Sequence, residues 1–184
     1  MNQMRRKDRE MKKEFALGII DKSEYATLAT VNEDGTPYCI PVSAARKGDT
    51  IYIHCAKTGT KVINIKHNSK VCMSFVGDVH VPVEFNDKSS VEDSDKLIKT
   101  RFTTEFESAV VFGTACEIND KDEKMLGLRL ISEKYTPLDM PYFEAYVSKS
   151  IDITNVIRID IDTITGKRKK FDKNGIEMKF GRVE

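Results

Sequence analysis

Residues 25–54 contain three strand-like segments in immediate succession, and two short turns join them. The segments run from Tyr25 to Val31, from Thr36 to Ala45 and from Thr50 to His54; the turns are Asn32-Glu33-Asp34-Gly35 and Arg46-Lys47-Gly48-Asp49. Turns of this length join neighbouring strands in antiparallel order, and glycine is typical of them. The pattern therefore predicts a three-stranded antiparallel meander.

Strands outnumber helices in the rest of the chain as well. Further strands are predicted at 70–76, 107–118 and 155–165, and helices at 7–20, 60–68, 120–135 and 141–150. Met11, Phe15 and Ile19 form one apolar stripe of the first helix, which we expect to cap the core. A sheet of neighbouring antiparallel strands removes its exposed edges by closing. We therefore predict a mainly β, α+β fold, an antiparallel barrel with an N-terminal helix and a few short peripheral helices.

Two regions are less regular. Val79 to Phe85 is expected to continue into a strand in which Pro82 indicates an edge or a bulge, and 86–99 is a polar loop or lid candidate. With neither an internal repeat nor a linker, we expect one domain over residues 1–184. Within it, 1–22 holds the capping helix and 166–184 forms a basic C-terminal tail or a hairpin around Asn174-Gly175.

Composition excludes several classes of protein. The 30 basic and 29 acidic side chains leave a formal net charge of +1, so no global charge points to nucleic acid or an anionic membrane. The four cysteines lie far apart without a Cys-x-x-Cys pair, and three scattered histidines make no metal site. With neither a signal peptide nor an apolar stretch of roughly 20 residues, we expect a cytoplasmic protein.

One basic run, Lys167-Arg168-Lys169-Lys170, is of a kind that binds nucleic acid or anionic lipid. No aromatic stacking platform accompanies it, and acidic residues flank it at Asp160, Asp162 and Asp172. We therefore interpret the run as the solvated end of a strand, and expect neither a nucleic-acid nor a membrane partner. A hydrolase is also disfavoured, because the sequence has no Gly-x-Ser-x-Gly motif and no pair of acidic residues arranged for general acid and base catalysis.

Residues 51–61 predict an anion site. An apolar strand runs through a turn at Gly59 into a short helix, and a helix start offers free N–H groups and the positive end of the helix dipole. Thr58, Thr60 and Lys61 add two hydroxyl donors and a positive charge. Thr60 separates Gly59 from Lys61, so this is not a nucleotide P-loop. The alternatives are a turn with a solvated lysine or, as we interpret it, the phosphate end of a flavin site.

An ordered set of motifs carries a family resemblance. The motifs are Met4-Arg5-Arg6-Lys7-Asp8-Arg9-Glu10, Leu28-Ala29-Thr30, Asp34-Gly35-x-Pro37-Tyr38-x-x-Pro41-Val42, Ile51-Tyr52-Ile53-His54-x-Ala56-x-x-Gly59-x-Lys61, Ser108-Ala109-Val110-Val111-Phe112-Gly113, Lys134-Tyr135-x-Pro137 and Ile164-Thr165-Gly166-Lys167. The chain resembles the nitroimidazole-resistance (Nim) branch of the pyridoxamine 5′-phosphate oxidase-related flavoproteins. The resemblance implies a split β-barrel of the FMN-binding type, with FMN bound at a homodimer interface.

The resemblance also implies a set of site residues. His54 is the implied catalytic residue, which would reach the phosphate or point across the flavin to a substrate. The alternative is a structural histidine at a strand end, with its hydrogen bonds made within the protein. The implied cofactor-binding residues are Ile40, Pro41, Val42, Ser43, Ile53, His54, Cys55, Ala56, Thr58, Thr60, Lys61, Arg101 and Ser108. Arg101 and Ser108 would reach the flavin of the partner subunit. Arg5 and Arg6 match the family motif, but contact with cofactor, helix or dimer partner stays open.

Two functions follow from the resemblance. In the first, the protein is an FMN-dependent oxidoreductase that passes electrons to a small acceptor such as a nitroimidazole or another nitroaromatic. The chain has no Gly-x-Gly-x-x-Gly motif, so NAD(P)H would bind only transiently. In the second, it is a non-catalytic carrier or redox sensor that binds flavin, haem or a deazaflavin. The sequence does not identify the physiological donor or acceptor.

Overall fold

The computed structural model describes residues 4–81 and 102–181, so the predictions for Pro82, 86–99 and Arg101 lie outside the described residues. The helices are α1 (Lys13–Lys22), α2 (Thr60–His67), α3 (Lys121–Tyr135) and α4 (Phe143–Ser150). The strands are β1 (Glu10–Met11), β2 (Ala26–Val31), β3 (Pro37–Val42), β4 (Ala44–Lys47), β5 (Thr50–Ala56), β6 (Lys70–His80), β7 (Glu105–Glu117) and β8 (Thr154–Lys169). Short 3₁₀ helices occupy Lys7–Arg9 and Pro137–Tyr142.

The strands form one antiparallel sheet in the order β3-β2-β6-β7-β8-β5-β4. Its two edge strands, β3 and β4, are separated along the chain by Ser43 alone. The sheet must therefore curl until its edges meet, which closes it as a barrel. The segment predicted as one strand over 36–45 is bent at Ser43, because its first half pairs with β2 and its second half with β5. The predicted antiparallel barrel with peripheral helices is confirmed.

The main core fills the barrel, and α1 contributes Ala16, Ile19 and Ile20 to it. This helix begins at Lys13, whereas the sequence pattern predicts a helix from residue 7. Met11, assigned by that pattern to the helical stripe, lies in β1 opposite Gly166 of β8. Backbone pairing with the long strand β8 therefore displaces the first turn of the predicted helix.

A second core lies outside the barrel, where α3 and α4 cover β4, β5 and β8. Side chains of β5 alternate: Ile51 and Ile53 point into the barrel, whereas Tyr52 packs under the helices. Helix α3 starts at the N-cap Asp120, whose carboxylate accepts a hydrogen bond from the Glu123 N–H at 2.8 Å. It ends at Tyr135, two residues before Pro137.

The C-terminal segment folds back on the N-terminal one. Residues 166–169 belong to β8, and beyond them Phe171 pairs with Glu177 across a turn. The N–H groups of Phe180 and Gly181 both donate to the carbonyl of Asp8 at 3.1 Å. Among the residues described, no helix combines the length and apolar character needed to cross a membrane.

Candidate functional site

A cleft of about 470 Å³ lies between the outer surface of the barrel and the C-terminal helices. Its barrel side is formed by Ser43 at the bend between β3 and β4, His54 near the end of β5, and Thr154 at the start of β8. The opposite wall is contributed by α3, the following 3₁₀ helix and α4, through Leu128, Ile131, Ser132, Tyr135, Thr136, Asp139, Met140, Tyr142, Phe143 and Tyr146. The cleft therefore joins an aromatic and aliphatic wall to a small polar barrel surface.

His54 reaches this cleft because β5 alternates. Tyr52, two residues earlier on the same side of the strand, is buried under α3, whereas His54 lies beyond that cover and is exposed. Surrounding protein lowers the pKa of His54 from its ordinary value, and the positive charge of Lys61 lowers it further. At neutral pH the imidazole is therefore neutral, with one N–H donor and one acceptor nitrogen.

The start of α2 lies next to this histidine. Gly59 has a φ of 129°, in the region that favours glycine, and a Cβ built there would meet no atom within 4 Å. The carbonyl of Gly59 accepts from the N–H groups of Val62 and Ile63, and no side chain in the described part of the chain caps the helix. Among the described residues, the N–H groups of Thr60 and Lys61 consequently have no acceptor.

Lys61 itself is half-buried and forms no ion pair within the described parts of the chain. Its charge acts on both His54 and Cys55, which places the ammonium group near the end of β5. Thr58 and Thr60 are exposed beside it. Two N–H groups and a cation that have no partner among the described residues, together with two hydroxyls, are donors that favour a phosphate monoester, so these residues fit the phosphate of FMN.

The predicted ring-binding residues are divided by the pleat of their strands. The side chains of Ile40, Val42 and Cys55 pack against the barrel core. Ile53 is fully buried in that core, so only its backbone could reach a cofactor outside the barrel. Pro41 and Ala56 are exposed on the outer surface.

Of the two residues that the resemblance assigns to the partner's flavin, the structure describes Ser108. Ser108 lies on β7, opposite Val76 of β6 and Lys167 of β8, and does not line the cleft of its own chain. Arg101 lies outside the described residues. The roles of both stay predictions.

The aromatic wall was missed by sequence reasoning. The sequence pattern places Tyr135, Tyr142, Phe143 and Tyr146 in helices, and Tyr135 also in a family motif, but assigns none of them to a site, although four aromatic side chains within twelve residues are a visible cluster. Tyr142 and Tyr146 are largely exposed at the cleft. An excess of aromatic residues at the end of a helical segment, next to Pro137, was the signal that could have identified this wall.

A family model described as pyridoxamine 5′-phosphate oxidase matches residues 12–168. Comparison with curated protein sequences finds no match. Several solved structures are similar at identities below 25%, which establishes a shared fold.

One of these structures is a proposed 5-nitroimidazole antibiotic resistance protein from Bacteroides thetaiotaomicron, with 21% identity, 86% of this chain and 85% of that chain covered, and a TM-score of 0.64. A second is an FAD and heme binding protein from Mycobacterium smegmatis, with 22% identity and a TM-score of 0.68. The match covers 87% of this chain and 73% of that one. A third is a flavocytochrome from Azotobacter vinelandii, with 17% identity and a TM-score of 0.66. The match covers 94% of this chain and 80% of that one.

Proposed function

Because the chain belongs to the pyridoxamine 5′-phosphate oxidase family, we propose that it binds FMN and passes electrons from the reduced flavin to a small acceptor such as a nitroimidazole. The observation that carries this proposal is Lys61 at the open start of α2, which forms no ion pair within the described residues and whose charge acts on His54 of the cleft. The similar proteins from Bacteroides and Mycobacterium, described by nitroimidazole resistance and FAD binding, support the same assignment.

In this proposal the residues of α2 hold the phosphate. Thr58, Thr60 and Lys61 supply hydroxyl and ammonium donors, and the exposed outer side of β3 and Ser43 supply backbone groups to the ring. FMN, when bound, supplies the electron transfer that no protein side chain can perform. The protein contributes binding, orientation and exclusion of water.

His54 has the role of a neutral hydrogen-bond donor. Its lowered pKa keeps the imidazole uncharged at neutral pH, so an N–H can be donated to an oxygen of the acceptor without placing a second cation beside Lys61. The cleft is lined by neither lysine nor arginine among the described residues. An uncharged aromatic acceptor therefore suits it better than pyridoxamine phosphate, whose phosphate would need a cation of its own.

A second copy of the chain is the proposed partner. The outer surface of β3, β2, β6 and β7 is not covered by α3 and α4, which pack over β4, β5 and β8, whereas α1 and α2 direct their buried side chains into the barrel core. Small or apolar side chains occupy this surface, including Ala29, Cys39, Cys72, Val110 and Phe112. Ser108 lies on the same surface, as expected of a residue that reaches the partner's flavin.

The absorption spectrum of the purified protein tests the cofactor. We expect flavin bands, with FMN released on denaturation, and loss of the bands in Lys61→Ala. Lys57→Ala is the matched control, because Lys57 is an exposed lysine of the same turn and should leave the bands unchanged. A Soret band would indicate haem instead, and a colourless protein that does not bind added FMN would overturn the proposal.

Steady-state turnover tests the reaction. Oxidation of NADH that depends on a nitroaromatic acceptor would support an oxidoreductase, whereas flavin binding without turnover would indicate a carrier or sensor. Sedimentation of the flavin-loaded protein tests the homodimer, and a monomer with full flavin content would contradict it.

A further inference from the structure

We propose that Asn64 is a positioning residue that sets the spacing between the phosphate-binding start of α2 and strand β3. The inference rests on the proposed function, because it concerns the two ends of the same flavin site. Asn64 touches neither the cleft nor the open helix start; it acts through the backbone that carries Thr60 and Lys61.

Asn64 is the polar member of the buried side of α2. It is 2% exposed, and its amide Nδ2 donates to Thr30 Oγ1 at 3.0 Å and to Asn32 Oδ1 at 2.8 Å. Thr30 lies in β2 and is 2% exposed, and Asn32 begins the turn that leads into β3. Asn64 therefore bonds α2 to the β2-β3 hairpin.

The hydrogen bonds continue through the turn to the start of β3. Asn32 Nδ2 donates to Thr36 Oγ1 at 2.9 Å, and Asp34 accepts from both the N–H and the hydroxyl of Thr36 at 2.9 and 2.6 Å. Strand β3 begins at the next residue, Pro37. One connected set of side chains thus links α2, proposed to hold the phosphate, to the strand proposed to meet the ring.

The other anchors of α2 cannot fix its orientation as well. Val62 and Ile65 are the remaining buried side chains of the helix, and apolar contacts are non-directional. Hydrogen bonds have defined lengths and angles, and the bond from Asn64 to Thr30 is buried, where a hydrogen bond is stronger than in water. Since burying an amide is costly and a leucine of similar size would bury well, orientation of the helix is the distinct contribution of Asn64.

Position along the helix explains why orientation matters here. Asn64 lies four residues after Thr60 and three after Lys61, about one turn along the same helix. If the helix turned or slid along its apolar anchors, the open N–H groups and the ammonium of Lys61 would move relative to β3. A flavin that bridges both elements would lose its phosphate contacts first.

Affinities for FMN and riboflavin test the inference, because riboflavin has the ring but no phosphate. We expect Asn64→Leu to weaken FMN binding about tenfold and riboflavin binding less than about twofold, so that the preference for FMN decreases. Thr30→Val should show part of this decrease, and Thr30→Ser, which keeps the hydroxyl, should retain the wild-type preference. His67→Leu is the control, an exposed position one turn later on α2.

The outcomes separate this inference from the proposed function. An unchanged preference for FMN in Asn64→Leu and Thr30→Val, or a parallel loss of both affinities, would reduce Asn64 to an ordinary structural residue. If Asn64→Leu does not fold, the Thr30 pair decides, since valine and threonine have the same shape. Wild-type protein that binds neither flavin would overturn the proposed function and this inference together.

Discussion

The hydroxyl of Tyr135 binds both backbone groups of Ala44, accepting from its N–H at 3.0 Å and donating to its carbonyl at 3.2 Å. The ammonium of Lys134 donates to the same carbonyl at 2.9 Å and to the carbonyl of Ile20 at 2.8 Å. Burial raises the pKa of Tyr135 and lowers that of Lys134. The end of α3 is thereby fixed to α1 and to the bend at Ser43, where the barrel closes beside the cleft.

Removing this hydroxyl should destabilise the fold. We expect Tyr135→Phe to lower the free energy of unfolding by about 1–2 kcal/mol. The N–H and the carbonyl of Ala44, both buried, each lose one hydrogen bond, whereas the packing of the aromatic ring is retained. Urea unfolding measures the change. Tyr25→Phe is the control, since that hydroxyl has no partner among the described residues and should change stability by less than about 0.5 kcal/mol. Equal effects of the two substitutions would contradict the role of Tyr135.

Gly127 is a point of close approach between α3 and the barrel. A Cβ on this residue would lie 2.9 Å from Val156 Cγ1 and 3.0 Å from Tyr52 Cδ1, both in the buried second core. Alanine is favoured over glycine in a helix by about 1 kcal/mol, but overpacking a core costs about 1–3 kcal/mol. We expect Gly127→Ala to destabilise the protein in urea unfolding.

Gly18 of α1 provides the matched control for that substitution. A Cβ there would meet nothing within 4 Å, so Gly18→Ala should stabilise the protein by up to about 1 kcal/mol. The two glycine-to-alanine changes are thus expected to have opposite signs. Stabilisation by both would show that α3 can move outward without cost.

Docking of the C-terminal segment should depend on pH. Arg9, whose Nε donates to Glu177 at 2.5 Å, and Lys179 lower the pKa of Glu177 from 4.5 to about 2. A carboxylate with a lowered folded pKa contributes stability above its unfolded pKa and loses it as pH falls through the folded value. We therefore expect Glu177→Gln to destabilise by about 1–2 kcal/mol at pH 7, with the difference vanishing between about pH 4.5 and 2.

Urea unfolding at several pH values measures that difference. Glu33→Gln is the control, because Glu33 lies exposed in the β2-β3 turn and forms no ion pair in the described structure. A difference for Glu177→Gln that stays constant down to pH 2 would show that the ion pair with Arg9 contributes nothing.

Local patterns predicted the barrel well because its strands are joined by short turns. The turns at Gly35 and Gly48 join neighbouring strands, so sequence order and spatial order largely agree. The bend at Ser43 could not be predicted, since residues 36–45 read as one continuous strand. It arises because the two halves pair with different strands, which is a property of the closed sheet.

The candidate site could be predicted only where its residues lie close together in the sequence. His54 and Lys61 belong to one strand-turn-helix segment, and their proximity follows from local geometry. The wall formed by Tyr135, Phe143 and Tyr146 comes from helices more than 70 residues further along the chain, and only tertiary packing brings it to His54. Sequence periodicity reports which residues are buried, but not which elements meet across a cleft.

The charge of Lys61 gives a test of the site that needs no flavin. Because this charge lowers the pKa of His54, Lys61→Met should raise that pKa, while partial desolvation by the surrounding protein still holds it below the ordinary value of 6.5. Inorganic phosphate bound at the start of α2 should also raise it in the wild-type protein, since an anion beside Lys61 offsets the positive charge. NMR titration of the His54 Cε1–H signal, identified by its absence in His54→Asn, measures both changes. Lys57→Met is the control and should retain the phosphate response, whereas a response that survives in Lys61→Met would place the anion elsewhere.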